Sequence, residues 1–268
     1  MLNVYEKEEV TCVEAVIENS KVKVGKVFLF LVDGMLVDTG PQSIESELLG
    51  FLKKQSFDFV TLTHSHEDHS GLAPWIQQHR NVPIYIHEKG IPICRQSSPY
   101  PEYRKMAWGF RDAFRALPLE NTIQSRSHEW EVIYTPGHAE DHVSLLHKET
   151  GRLFTGDLFV SPKTKVIMES ESIPTIVNSL RKLLTYDFQS IFCSHSGYFE
   201  NGKEMLKKKI DYLEDLRERV IDLHRRGMSV AEIKQELFPK PYPIIKTSGG
   251  EWDSRHIISS ILSAEDSW

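Results

Sequence analysis

Over residues 13–38 the apolar positions come in short runs separated by turn formers, the pattern of strands rather than helices. Gly25 divides Val22-Lys23-Val24 from the unbroken run 27–32, and Asp33-Gly34 ahead of Met35-Leu36-Val37 reads as a two-residue hairpin turn. The period then alternates. Residues 44–54 predict a helix, 59–63 a strand, 72–78 a short helix with Pro74 in its first turn, and 83–87 another strand. Beyond Pro92, Pro99 and Pro101, the residues Tyr103, Ala107, Phe110, Phe114 and Leu117 keep three-to-four spacing and predict a helix over 102–117. Arg104, Arg111 and Arg115 fall off that stripe and are expected on a solvated face. The segment itself is placed to cap a pocket.

Strand character returns at 131–135. The runs 143–146 and 152–155 form a hairpin about Glu149-Thr150-Gly151, and a helix over 173–184 leads to a strand over 190–193. The tail is helical. Leu206, Ile210, Leu213, Leu216, Val220 and Leu223 stripe a helix over 203–226 that Gly227 stops. Ser229 and Glu232 make a capping box for 230–238, Pro239, Pro241 and Pro243 end that helix, and Asp253 or Ser254 caps a last one over 257–262. These helices are expected to pack on the core and form one wall of the pocket.

A weak repeat sets the architecture. A strand ending in Asp38, a helix and a strand ending in His64 recur as a strand ending in Asp157, a helix and a strand ending in His195. Two similar sheet halves meeting over one site follow, because α/β folds place their sites at strand ends. The expected division is a catalytic α/β domain over 1–202 and a helical extension over 203–268.

Composition narrows the partners. With 32 Lys and Arg against 38 Asp and Glu, the net charge of -6 offers no general surface for nucleic acid or anionic membrane. The first ten residues are polar and acidic without the apolar stretch of a signal peptide, and the run 27–32 is too short to span a bilayer. Cys12, Cys94 and Cys193 are widely spaced and suit small buried hydrophobes in a reducing compartment. A cytoplasmic protein acting on a small-molecule substrate is expected, without membrane; nucleic acid is disfavoured, and a homodimer stays open.

The chemistry concentrates in His64-Ser65-His66-Glu67-Asp68-His69, directly after an apolar run. His64 and His66 are two apart and point the same way from an extended segment, while Gly71 lets the backbone pass close by. His138, Asp157 and His195 follow other strands. Five imidazoles and two carboxylates suit two borderline divalent ions, zinc first, with iron or manganese also compatible. Two such ions set against Asp68, Asp157 and a bridging hydroxide leave residual positive charge, enough to bring the pKa of bound water to about 7.

Taken in order, Asp38, His64-x-His66-x-Asp68-His69, His138, Asp157 and His195 resemble the five motifs of the metallo-β-lactamase superfamily, over about residues 10–200. The resemblance implies a four-layer αβ/βα sandwich. It implies that His64, His66 and His138 hold one metal, Asp68, His69 and His195 the other, and Asp157 both, with Asp38 a buried structural residue. Asp157 and the missing export signal point to the hydrolase branch similar to glyoxalase II. Residues 158–162 nevertheless lack the Gly-Cys-Gly-Arg run of glyoxalase II and the Tyr by which lactonases of this fold polarise a carbonyl. The reading is a two-zinc hydrolase of a small ester, thioester or lactone, with Asp68 catalytic. A phosphodiesterase or ribonuclease, and an oxidoreductase resembling mononuclear-iron persulfide dioxygenases, are the alternatives. Tyr198 and Lys163 follow ligand-bearing loops and are candidate substrate contacts, with Trp252 and Arg255 reaching in from the tail. His142 is expected to support the ligands rather than join them.

Overall fold

The structure is a computed structural model describing residues 2–19, 22–98 and 100–264, so Pro99 lies outside the described residues. Its first half runs β1 (Leu2–Lys7), β2 (Val10–Asn19), β3 (Val22–Val32), β4 (Met35–Val37), α1 (Glu45–Leu52), β5 (Phe59–Thr61), α2 (Glu67–Ser70), α3 (Ala73–Arg80), β6 (Ile84–Ile86), α4 (Ile91–Cys94), α5 (Glu102–Trp108) and β7 (Leu117–Pro118). The second runs β8 (Thr122–Gln124), β9 (Glu129–Tyr134), β10 (Val143–His147), β11 (Arg152–Gly156), β12 (Ile167–Met168), α6 (Ile173–Leu184), β13 (Ser190–Cys193) and β14 (Gly197–Phe199). Then come α7 (Gly202–Arg225), α8 (Val230–Leu237), α9 (Pro243–Thr247), β15 (Trp252–Asp253) and α10 (Ser254–Leu262).

Strands β1 to β7 form one sheet in sequence order, and β14-β13-β11-β10-β9-β8 form the other. The run 27–32 is apolar on both faces because β3 is covered on both. Val27 and Leu29 point outward to Leu48 and Leu52 of α1 and Ile76 of α3. Phe28, Phe30 and Val32 point inward to Trp130, Leu145, Phe154 and Phe192 of the second sheet. The Phe30 ring lies 5.3 Å from Phe154 and 5.6 Å from Phe192. On the far side α6, α7, α8 and α10 bury Val177, Leu180, Leu213, Ile233 and Ile257 against the second sheet. Helix, sheet, sheet, helix is the αβ/βα sandwich that the resemblance implies, in line with the two-half repeat.

Most local signals map onto elements. Asp33 and Gly34 take φ of 46° and 81° in the β3–β4 turn, α6 and β13 have the expected limits, Ser229 and Glu232 close their capping box, and Asp253 caps α10. Two expectations fail. The helix over 102–117 stops at Trp108, since Gly109 adopts φ 86° and turns the chain. A side chain there would come within 2.6 Å of the Ser43 backbone nitrogen, so the close approach needs glycine. Residues beyond it run irregularly to Leu117, which enters β7, and Phe110 and Leu117 stay 43% and 47% exposed. Of the three arginines expected on a solvated face, only Arg115 is exposed. Arg111 is fully buried and donates to Ile93 O at 3.2 Å and Ser98 Oγ at 2.8 Å, and Arg104 is buried against Glu67.

Strands β4, β5, β6 and β7 pair in parallel, as do β11 and β13. The carboxyl ends of β4, β5, β9, β11 and β13 gather at one edge of the sandwich, and the polar strand-end residues lie there. Among the described residues no helix is long and apolar enough to cross a membrane.

Candidate metal centre

Residues widely separated along the chain form two adjoining donor groups at that edge. One joins His64, His66 and His138; the other joins Asp68, His69, Asp157 and His195, with donor atoms in each group within 4.8 Å of one another. In the first, His64 Nε2 lies 3.0 Å from His66 Nδ1, which lies 3.1 Å from His138 Nε2. Tetrahedral zinc with bonds of 2.0–2.1 Å separates its nitrogens by about 3.3 Å, so this spacing is that of a ligand set. In the second, Asp157 Oδ2 lies 3.4 Å from His69 Nε2 and 3.0 Å from His195 Nε2. The same oxygen is 3.4 Å from His138 Nε2 of the first group. One carboxylate oxygen therefore faces donors of both groups.

Hydrogen bonds behind the ligands fix which nitrogen faces the centre. His69 Nδ1 is 2.8 Å from Asp38 Oδ2, His138 Nδ1 is 2.9 Å from Glu171 Oε2, and His195 Nδ1 is 2.7 Å from Lys26 O. Each leaves Nε2 pointing inward. Asp38, in the left-handed region at φ 59°, also accepts from Thr63 N at 2.8 Å and Thr63 Oγ1 at 2.9 Å, tying the end of β4 to the loop that carries His64. His142 is no donor to the cluster: its Nε2 accepts from Asp157 N at 3.0 Å and its Nδ1 sits 2.9 Å from Thr135 Oγ1. Burial first, and the charge of His138 second, hold His142 down to about 3, so it stays the neutral acceptor this bond needs. Gly71 packs so close that a Cβ would lie 2.7 Å from Gly40 O and Gln42 N, which is the reason for glycine there.

The electrostatics suit cations. Burial, then repulsion from neighbouring charges, keeps His64 and His66 well below the usual histidine range, hence neutral, the state in which an imidazole can take a metal. Burial opposes charge on Asp68 and Asp157 as well, but His69 and His195 outweigh it and hold both carboxyls ionised. His69 Nε2 and Asp157 Oδ1 are buried without a hydrogen-bond partner among the described residues, a costly arrangement that a bound cation relieves. The donor set fits two divalent ions. The three thiols are free and buried; burial pushes Cys12 and Cys94 up to about 12, and Cys193 Sγ accepts from His195 N at 3.4 Å behind the cluster.

Two cavities open onto the cluster. The larger, about 530 Å³, is walled by Tyr103 and Trp108 of the inserted segment, Val160 and Met168, and Ile244 and Trp252 of the tail. The inserted segment and the tail both wall the pocket. Lys163 lines the second cavity, about 300 Å³, beside His138 and Asp157. Tyr198 faces elsewhere: its hydroxyl donates to Glu8 at 2.6 Å and its ring lies 5.2 Å from Phe192. Arg255 lines a separate surface pocket with Glu169 and Glu171.

Two site residues escape the sequence pattern, and a third is readable in it. Glu171 lies in the loop before α6 and leaves no periodic trace. Arg104 grips Glu67, inside the His cluster, with both nitrogens of its fork (Nη2 to Oε2 at 2.7 Å), binding the inserted helix to the metal loop. Lys209 does leave a signal, a charge three residues after Leu206 and four before Leu213 on the buried stripe of α7.

Residues 24–195 match the family model of the metallo-beta-lactamase superfamily. The chain is 26% identical to the "Probable metallo-hydrolase YqjP" of Bacillus subtilis (strain 168), over 82% of each protein. It is 29% identical to hydroxyacylglutathione hydrolase GloC of Haemophilus influenzae, over 54% of this chain and 71% of that one. A metallo-beta-lactamase family protein from Thermus thermophilus shares the fold at TM-score 0.71 and 19% identity, covering 95% of this chain and 91% of that structure.

Proposed function

The chain belongs to the metallo-β-lactamase superfamily and is a metal-dependent hydrolase, and from that footing we propose that it cleaves a small ester, thioester or lactone with two zinc ions. The observation that carries the reading is the position of Asp157 Oδ2, 3.4 Å from His138 Nε2 of one donor group and 3.0 Å from His195 Nε2 of the other. Two divalent ions held there supply a lowered pKa for water and compensation for charge developing on a carbonyl oxygen.

The chain's own residues do the rest. Asp68 reaches His69 and His195 through Oδ2, at 3.5 and 3.3 Å. Its Oδ1 makes no hydrogen bond among the described residues and is open to orient a water. Asp68 thus holds the nucleophile and receives its proton. Trp108, Met168, Ile244 and Trp252 enclose the apolar part of the substrate and exclude bulk water from the reacting carbonyl. The similarity to a hydroxyacylglutathione hydrolase supports the thioester end of this substrate class. The net charge of -6 supports a small molecule over nucleic acid.

The test combines metal analysis of the purified protein with a panel of acyl thioesters, lactones and bis(p-nitrophenyl) phosphate. About two zinc ions per chain with turnover of a thioester or lactone is the expected result. One iron per chain with oxygen uptake on a thiol, or turnover confined to the phosphodiester, overturns the proposal.

A further inference from the structure

Lys209 is a charged side chain on the buried stripe of α7, and it is only 5% exposed. It lines the smaller cavity, whose wall also includes Lys163, Lys165 and Glu171. No carboxylate or carbonyl oxygen hydrogen-bonds its ammonium among the described residues; the contact it does make is with the Phe159 ring, 5.8 Å from Nζ to the centroid. Glu171 is already engaged, by His138 through one oxygen and by Met168 N at 2.8 Å through the other. An ammonium placed this way loses its hydration and recovers little from the protein, an arrangement that costs stability unless something else compensates the charge. Burial pushes the Lys209 pKa down, with Glu171 pulling it back up.

The two cavities share His138, Asp157, Val160, Val166, His195 and Trp252, so they meet at the donor cluster. Their linings differ in kind. Aromatic and aliphatic side chains dominate the larger, whereas three lysines face the smaller. We propose that the smaller cavity is an anion subsite, in which Lys209 takes a carboxylate of the same substrate whose apolar arm fills the larger cavity. The scissile carbonyl lies between the two arms, beside Asp68 and Asp157. This assignment rests on the hydrolase reading and sharpens it, since the substrate becomes an acyl compound with one apolar and one anionic end. Lys163 and Lys165, both exposed, draw the anion toward the cavity, while Lys209 neutralises it inside, where the low dielectric makes the pairing strongest.

The test uses the metal-loaded protein and a pair of non-hydrolysable thioethers, 3-(hexylthio)propanoate and its uncharged amide, with binding followed by calorimetry. The wild type is expected to bind the carboxylate at least about ten-fold more tightly than the amide. Lys209→Met keeps the aliphatic stem and removes the charge; it should lose most of that preference, while Lys209→Arg retains it. Equal binding of the two thioethers by the wild type overturns the assignment, whatever the variants do. A preference that survives in Lys209→Met also overturns it, because the carboxylate then sits on the metals or elsewhere. If the preference depends on Lys209 but no ester, thioester or lactone is turned over, the subsite stands and the hydrolase reading falls.

Discussion

Two carboxylate–imidazole pairs, one behind each donor group, use the same device in different settings. Asp38 holds His69 from the end of β4, at the junction of both sheets, where it also binds Thr63 N and Thr63 Oγ1 and accepts from Ser194 Oγ at 3.3 Å. Glu171 holds His138 from the loop before α6, with one further bond, from Met168 N. The first pair is therefore part of the fold as well as of the site. The second orients a ligand and does little else. Orientation and architecture can thus be separated experimentally, because each carboxylate serves one imidazole and only one of them holds the sheets together.

The largest expected effect is on turnover, and it tests whether a donor with no carboxylate behind it belongs to the catalytic step. Asp68→Asn keeps the size and the ligand geometry but removes the charge that receives the proton. It should lower kcat/KM by about 10²- to 10⁴-fold with an unchanged melting curve. Near-normal activity would refute the role given to Asp68. The next effect is on folding. Asp38→Ala leaves His69 and Thr63 buried without their partner, and should cost about 3–5 kcal/mol of stability even in metal-free protein. Denaturant titration measures it, and a loss seen only after metal loading would show that Asp38 acts through the ligand alone.

Glu171→Gln sharpens the contrast from the other side. The amide oxygen still accepts from His138, but the charge that raises the imidazole's basicity is gone and the amide nitrogen cannot accept from Met168 N, so zinc affinity should fall about 10- to 100-fold. Metal-free stability should fall by only about 1–2 kcal/mol, the cost of one buried N–H left without its acceptor. Competition with a chromophoric chelator reads the first quantity and urea melts the second. A stability loss matching that of Asp38→Ala would erase the distinction between the two pairs.

The same contrast explains what was legible in the sequence. Asp38, Asp157, His64 and His195 end strands, and strand ends are visible as the point where an apolar run stops. The turn at Asp33-Gly34 and the capping box at Ser229 are visible because local backbone geometry selects their residues. Glu171, Arg104 and Arg111 are set by tertiary partners 33, 37 and 13 residues away, and no local pattern encodes such pairings. The overlong helix prediction failed for a related reason. The stripe from Tyr103 to Leu117 kept its period, but Gly109 has to pass the Ser43 backbone closely, a requirement set by a segment far earlier in the chain.

His142 gives the finest test, because it supports Asp157 through the backbone rather than through the carboxylate. Its Nε2 accepts the Asp157 N–H while its Nδ1 meets Thr135 Oγ1, joining β9 to the turn after β11. His142→Phe fills the space but offers no acceptor, so a buried N–H is left unpaired at about 1–2 kcal/mol. If that bond only stabilises the fold, metal-free and zinc-loaded protein should lose the same amount in urea melts. If it also places the Asp157 carboxylate, the zinc-loaded protein should lose more, because the variant binds the ions less tightly and their contribution to stability shrinks with affinity. The second result is expected, since the carboxylate that faces both donor groups begins one residue beyond Gly156, where a Cβ would stand 2.5 Å from His142 Nε2. Backbone and ring are fitted that closely only at the position on which both groups converge.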